Sequence, residues 1–399
     1  MNPLRRIYSR TYQTALHIAL PLLPYRAPKI VSHLQSLPEV IKKEGCHAVL
    51  IITDTGVREH DLIDPLIKAL ELSHIGYTVY DKTVANPTTE NVEEALDDYY
   101  VYNCDVIVGF GGGSSIDCAK AVGARVAKPD RSLAEMKGIL KVHKRLPLLI
   151  AVPTTAGTGS EATIAAVITD AETRHKYPIN DFPLIPRYAV LDPRITVSLP
   201  PSLTATTGMD ALTHAVEAYI GNSTTYGTRQ DALRAVQLIF AHLEDAYRDG
   251  SNLKARRGML HAAYYAGCAF TRSYVGYVHA VAHSLGGEYN IPHGLANAVL
   301  LPFVLETYGT AIHPKLHRLA VAAGVAVESY SDEKAARAFI QAIKDMKHRF
   351  DIGDTIPQIK EEDIPKLASY ADKEANPLYP VPVLMDAREL ERYYYQLME

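Results

Sequence analysis

The sequence predicts an α/β domain with a parallel sheet over residues 1–200, followed by an all-helical domain over residues 201–399. Three observations carry this prediction. Short apolar runs alternate with amphipathic stretches in the first half. Strand-like runs almost vanish after Pro200, where helical periodicity takes over. Glycine-rich and hydroxyl-rich segments directly follow the apolar runs, as ligand loops do at the carboxyl ends of parallel strands.

The elements follow in order. Residues 48–53 are an apolar run of strand length, ended by Asp54. Residues 58–75 read as a helix closed by Gly76, and residues 77–80 as a second strand. The turn Asn86-Pro87-Thr88-Thr89 starts a helix that runs to about residue 103. Residues 105–108 form a third strand entering a glycine run, residues 116–127 a helix, and residues 148–152 another strand. Such alternation places helices on both faces of a parallel sheet. From Pro200 onward, helices are predicted near 204–221, 227–249, 252–272, 277–289, 296–308, 312–324, 332–349 and 387–397.

Composition excludes several classes of function. The chain has 399 residues and a formal net charge of −4, with no basic block suited to nucleic acid. No apolar run reaches the roughly 18 residues of a spanning helix. Cys46, Cys104, Cys118 and Cys268 lie far apart, which reads as buried thiols in a reducing cytoplasm. The first 38 residues carry five basic residues and no acid. That composition resembles a transit peptide, but interleaved leucines and prolines favour an amphipathic segment packed on the body or on a neighbour.

Residues 109–117, Gly-Phe-Gly-Gly-Gly-Ser-Ser-Ile-Asp, join a strand to a helix. Glycines let a backbone approach a ligand closely, and a helix start offers free N–H groups to phosphate. The plain alternative is a tight turn. Residues 153–161, Pro-Thr-Thr-Ala-Gly-Thr-Gly-Ser-Glu, follow the next strand, and their hydroxyls suit a ribose or a nicotinamide, or merely a helix cap. Asp54 ends a strand, where a carboxylate accepts bonds from ribose hydroxyls and repels a 2′-phosphate. On its own, a terminal Asp is more often a helix cap.

The helical half concentrates histidines. Asp210 and His214 stand at i and i+4, which places them on one helix face, about 6 Å apart at Cβ. His279 and His283 repeat that spacing, and His293 follows between Pro292 and Gly294. Five side chains are therefore candidate ligands, and each histidine singly also reads as a hydrogen-bonded core residue. Three neutral imidazoles and a carboxylate suit Fe²⁺ or Zn²⁺ alike.

These residues match a family. The chain resembles the iron-containing (group III) alcohol dehydrogenases from about residue 25 to its end. The carrying motifs are GGGSSIDCAK (111–120), PTTAGTGSEAT (153–163), GMDALTHAVEAY (208–219) and VHAVAHSLGGEYNIPHGLANAVLLP (278–302). The resemblance implies a Rossmann-like nucleotide-binding domain and a helical metal domain, the dehydroquinate synthase-like fold, with the active site in a cleft between them. It implies Asp210, His214, His279 and His293 as metal ligands and His283 as a non-ligand active-site histidine. It aligns Gly111, Gly112, Gly113, Ser114 and Ser115 with the pyrophosphate loop. Thr154, Thr155, Thr158, Thr163 and Lys176 align with positions near nicotinamide and ribose, and Asp54 with the acidic position of NAD preference. Ser115 departs from the proline that many members carry.

The implied activity is hydride exchange between a primary alcohol or diol and NAD, yielding the aldehyde, with Fe²⁺ as the ion and Zn²⁺ as an alternative. The ion lowers the alcohol pKa, and the proton leaves through His283 or the ribose hydroxyls. The partner is a small alcohol or aldehyde, and a cytoplasmic homodimer or higher homo-oligomer is the family default. A glycerol-type polyol dehydrogenase, a dehydroquinate-synthase-like enzyme and a non-catalytic NAD-binding scaffold are the competing readings. A fourth ligand disfavours the polyol enzyme, and thin basic support disfavours the synthase.

Overall fold

The computed structural model describes residues 1–173 and 175–398. The chain divides into two compact units: Pro24–Leu199, and a second unit that joins Met1–Leu23 to Pro200–Glu399. The N-terminal segment thus belongs with the helical unit, not with the sheet domain where the sequence reading placed it. Its helix α1 (Pro3–Ala19) is tied there by polar side chains: Arg5 donates to both oxygens of Asp372, at 2.7 and 2.8 Å.

The first unit is built on a six-stranded, wholly parallel sheet. Its strands are β1 (Lys29–Val31), β2 (Ala48–Ile52), β3 (Gly76–Tyr80), β4 (Val106–Gly111), β6 (Leu148–Pro153) and β9 (Tyr188–Val190), in the order β1-β9-β6-β4-β2-β3. The three short strands β5 (Gly138–Ile139), β7 (Ala165–Thr169) and β8 (Lys176–Asn180) form a second sheet in the order β5-β8-β7. The sequence reading had not separated these last three, nor β1 and β9.

Period-2 alternation explains why both sheet faces are covered. Leu50 and Ile52 point into one core with Val92 and Ala95 of α5 (Thr89–Val101) and Cys118 and Ala119 of α6 (Gly113–Ala127). Val49 and Ile51 point into the other, with Leu37 and Ile41 of α2 (Leu37–Lys43) and Leu66 and Leu70 of α4 (Asp64–Leu72). The continuous helix expected over 58–75 is broken: α3 (Thr55–Glu59) stops, and α4 restarts with Pro65 in its first turn. A proline tolerates that position because its missing N–H is unneeded there, whereas inside a longer helix it would remove a bond.

The topology brings the ends of β2, β4 and β6 side by side. Asp54 follows β2, Gly112 follows β4 and Thr154 follows β6. The Thr154 N–H donates to the Gly111 carbonyl at 3.0 Å, so the two ligand-type loops are stitched at their roots.

The second unit is helical. After α7 (Leu133–Met136) in the sheet unit, the chain runs through α8 (Pro201–Ile220), α9 (Tyr226–Arg248), α10 (Leu253–Ser273), α11 (Tyr277–Tyr289), α12 (His293–Tyr308), α13 (His313–Ala322), α14 (Asp332–Arg349), α15 (Ile364–Ala375) and α16 (Ala387–Met398). Helix α15 was not foreseen. Helix α8 is buried almost all round from Gly208 to Ile220, which places its few polar side chains in the interior.

One buried charged node stands inside the sheet unit. Lys120 of α6 is fully buried and donates to Ser160 Oγ (3.0 Å), Thr163 Oγ1 (2.8 Å) and the Ala165 carbonyl (2.7 Å). Ser160 Oγ donates in turn to Asp117 Oδ1 at 2.6 Å. One ammonium thereby pins the loop after β6 and the start of β7 onto α6. Burial lowers the Lys120 amine to about 8 and raises the neighbouring Glu161 carboxyl to about 7.

Glu161 is the uncompensated member. Its Oε1 is buried without a hydrogen-bond partner among the described residues. Between its ordinary value of 4.5 and about 7, the folded chain keeps a proton that the unfolded chain has released. Its contribution to stability is therefore lost as pH rises through that window. We expect Glu161→Gln to remove a loss on the order of 2 kcal/mol. Urea unfolding of variant and wild type at pH 5 and pH 7.5 measures it, and an equal decline in both proteins would refute the assignment.

Candidate functional site

In the helical unit, three elements converge. Helix α8 supplies Asp210 and His214, α11 supplies His279 and His283, and α12 opens on His293. One ligand-type atom from each of Asp210, His214, His279 and His293 lies within 4.8 Å of all the others. Asp210 is central. Its Oδ1 lies 3.9 Å from His279 Nε2 and 3.4 Å from His293 Nε2, and its Oδ2 lies 3.9 Å from His214 Nδ1. Asp210, His214 and His279 are buried, and His293 is half-buried. The Phe270 ring stacks on His214 with centroids 4.1 Å apart and closes that side with apolar surface.

The orientation of His279 comes from a residue that the sequence reading overlooked. Glu217 lies on α8 seven residues after Asp210, two helical turns along the same face. Its Oε2 accepts the Gly276 N–H at 2.8 Å and sits 2.6 Å from His279 Nδ1; its Oε1 accepts the Val278 N–H at 2.9 Å. Burial raises the Glu217 carboxyl to about 7, and the Gly276 and Val278 N–H groups pull against that shift. In its ionised form it offers no proton, so His279 Nδ1 carries the hydrogen and donates it. The Nε2 lone pair is then left pointing toward Asp210, and that nitrogen is buried with no partner among the described residues. Leaving such an atom unsatisfied costs roughly 1–3 kcal/mol. This is the tautomer in which a histidine binds a metal.

Electrostatics favour the same state. Burial lowers the His279 imidazole well below its ordinary value, and neighbouring histidines add to the shift. Burial also lowers His293 to about 4, with the Asp210 charge opposing. Both rings are neutral at physiological pH, as ligation requires. Asn297, one turn beyond His293, donates Nδ2–H to Asp210 Oδ1 at 2.7 Å and holds that carboxylate in place. A buried carboxylate, neutral imidazoles and an orphaned imidazole nitrogen fit a divalent transition-metal ion.

His283 faces the same cluster but is held elsewhere. Its ring stacks against His293 at 5.1 Å, and its Nδ1 lies 2.7 Å from Glu374 Oε1. The Tyr379 hydroxyl donates to that same oxygen at 2.8 Å. Desolvation pulls the His283 imidazole down, but the Glu374 charge outweighs it and the net shift is upward. A histidine bonded to a carboxylate, itself steadied by a tyrosine hydroxyl, can hold or pass a proton.

In the sheet unit, the other predicted residues fall into two groups. Gly111, Gly112, Gly113, Ser114 and Ser115 form the β4–α6 junction, with Gly112 as N-cap and no side-chain cap bond. The first N–H groups of α6 are thus left for another acceptor. A Cβ on Gly111 would lie 2.5 Å from Ser115 Oγ and 3.0 Å from Asp54 Oδ2, whereas one on Gly112 would meet nothing nearer than Thr155, at 3.9 Å. Gly111 is therefore required by packing, and Gly112 keeps an open approach. Ser115 Oγ donates to Asp54 Oδ2 at 3.0 Å, while Asp54 Oδ1 caps α3 through the Val57 N–H at 3.0 Å. Asp54 is both a cap and a neighbour of the glycine loop, and Ser115 is what links the two.

Thr154 is buried and Thr155 partly so; Thr158 packs 3.1 Å from the position of a Gly113 Cβ. Thr163 is buried on Lys120, where its hydroxyl serves the loop's own scaffold. Lys176 stands apart, exposed at the start of β8 and outside these hydrogen-bond networks among the described residues. The uncapped helix start beside an open glycine fits a dinucleotide's phosphates.

Comparison with known proteins gives the family. Residues 29–193 match the family described as iron-containing alcohol dehydrogenase, and residues 204–396 match the C-terminal family of Fe-containing alcohol dehydrogenases. The chain is 40% identical over 346 residues to the 1,3-propanediol dehydrogenase of Citrobacter freundii, covering 85% of this chain and 88% of that protein. It is 36% identical over 333 residues to the NAD-dependent methanol dehydrogenase of Bacillus methanolicus, covering 83% and 87%. A solved 1,3-propanediol oxidoreductase superposes with a TM-score of 0.89 at 35% identity, over 94% of this chain and 99% of that one. Both halves of the chain, each with its own side-chain cluster, therefore place it in the iron-containing alcohol dehydrogenase family.

Proposed function

We propose that this chain is an NAD-linked oxidoreductase that interconverts small primary alcohols or diols with their aldehydes, using a divalent ion held by Asp210, His214, His279 and His293. The observation that carries this reading is the convergence of those four side chains on one point, with His279 Nε2 left without a partner. Relatives named for 1,3-propanediol and methanol support a small substrate. The family's name favours Fe²⁺, and Zn²⁺ suits the same donor set.

When bound, the ion stabilises charge on the substrate oxygen and the nicotinamide exchanges the hydride. The protein's share is orientation and proton handling. Asp210 and the neutral imidazoles supply the ligands, and Glu217 keeps His279 in its ligating tautomer. His283 takes the proton, steadied by Glu374. Gly112 and the start of α6 cradle the pyrophosphate, and Asp54 disfavours a 2′-phosphate. Four cysteines outside any disulfide suit a reducing cytoplasm.

The test is anaerobic purification with metal analysis, followed by NADH assays across straight-chain alcohols, 1,3-diols and glycerol. NADH formation with none of them sinks the reading, as does full metal content and turnover in His279→Ala.

Two variants probe individual residues. Glu217→Gln places an amide NH₂ against an N–H donor, and metal affinity should fall roughly 10–100-fold by chelator competition. Unchanged affinity would remove Glu217 from the site. Asp54→Asn keeps a capping oxygen but loses the charge, so the ratio of kcat/KM for NADP to that for NAD should rise roughly tenfold. An unchanged ratio would show that Asp54 acts only as a cap.

A further inference from the structure

Helix α1 lies outside both family-matched segments, which begin at residues 29 and 204. It docks with its polar side inward. Leu4, Ile7, Tyr8 and Ile18 are exposed, whereas Ser9 and Gln13 are buried. Burial of apolar area therefore contributes little to holding it, and directed bonds do the holding.

Most of those bonds end on one stretch of backbone. Arg10 donates to the Val381 carbonyl from Nη1 and to the Pro382 carbonyl from Nη2, both at 2.7 Å. Gln13 Nε2 donates to the Tyr379 carbonyl at 2.7 Å and the Pro377 carbonyl at 3.3 Å. Arg10 also donates to Gln13 Oε1 at 2.9 Å, so the two side chains brace each other. Ser223 Oγ donates to the Gln13 carbonyl at 3.1 Å from the body of the unit. Two side chains thus occupy four carbonyls between residues 377 and 382.

This stretch connects α15 to α16 and has no helix or strand ladder of its own. Its carbonyls need outside partners: Asn222 serves those of Pro380 and Val381, and α1 serves those of Pro377, Tyr379, Val381 and Pro382. It carries Tyr379, whose hydroxyl reaches Glu374, the residue that holds His283.

We propose that α1 is a clamp on residues 377–382 that positions Tyr379 and, through it, Glu374 against His283. The inference rests on the reading of His283 as the proton-handling group. Arg10, Gln13 and Tyr379 are positioning residues. The clamp supplies in sequence-distant form what a ladder supplies elsewhere.

The test uses the full-length, metal-loaded enzyme with an Arg10→Ala/Gln13→Ala double variant. Amide exchange over residues 378–385 should accelerate roughly tenfold or more, as expected when one buried and several half-buried bonds are lost. The kcat should fall roughly tenfold while KM for NAD stays constant. Tyr379→Phe alone should lower kcat with little change in exchange, and it should cost little more when added to the double variant. Unchanged exchange in the double variant overturns the clamp, and so does full additivity with Tyr379→Phe. If exchange rises but His283→Ala keeps full turnover, the role of His283 falls and the grip of α1 on the loop stands.

Discussion

The helical unit depends on one buried carboxylate, that of Glu217. It accepts two backbone N–H groups at the start of α11 and the Nδ1–H of His279, all from residues 59 to 62 positions away in sequence. Moving an isolated carboxylate out of water costs several kcal/mol even after relaxation. Three donors and the positive end of a 13-residue helix offset part of that cost at one point, and burial still holds the carboxyl up at about 7. The same bonds fix where α11 begins relative to α8. His214 and His279, whose ring centroids are 4.4 Å apart, owe their meeting to this anchor. Gly276 is part of the arrangement, since a Cβ there would lie 2.6 Å from Glu217 Oε1.

The sheet unit uses the same device with the sign reversed. Lys120 is a buried cation that gathers two hydroxyls and a carbonyl, and so binds a loop to a helix. In both units the side chains that offer chemistry to a ligand stand next to a residue that offers none but sets their geometry. Thr163 shows the consequence: it aligns with a cofactor position, yet its hydroxyl is committed to the scaffold. Asp54 is likewise shared between α3 and Ser115.

This division explains what the sequence could reveal. Asp210/His214 and His279/His283 were legible because helical spacing makes i and i+4 neighbours, a local rule. Strands such as Ala48–Ile52 were legible because apolar runs bury both faces. Glu217 was not, because an acid on a helix ordinarily reads as a solvated charge, and its partners lie some 60 positions away. Strands β1 and β9, three residues each, carry too little pattern to register. Helix α1 was foreseen as an amphipathic segment, but periodicity points its apolar side inward, and the structure turns that side out. What decides its orientation is the set of loop carbonyls around residue 380, which no local pattern encodes.

The orphaned nitrogen of His279 is where folding would be coupled to the binding of an ion. A buried lone pair without a donor costs roughly 1–3 kcal/mol, and the neighbouring Asp210 charge adds a desolvation cost of its own. Neither can be relieved by turning the side chain, because Glu217 holds the ring from behind and Asn297 holds the carboxylate. The protein therefore maintains a destabilised spot that a divalent cation, once held there, would relieve. Whatever binds only the folded state adds its binding free energy to stability. The same rigidity that makes Glu217 costly to bury would thus convert the affinity for a bound ion into stability of the helical unit. A looser site, free to satisfy its own lone pair, would gain stability alone and lose the pull on the ion.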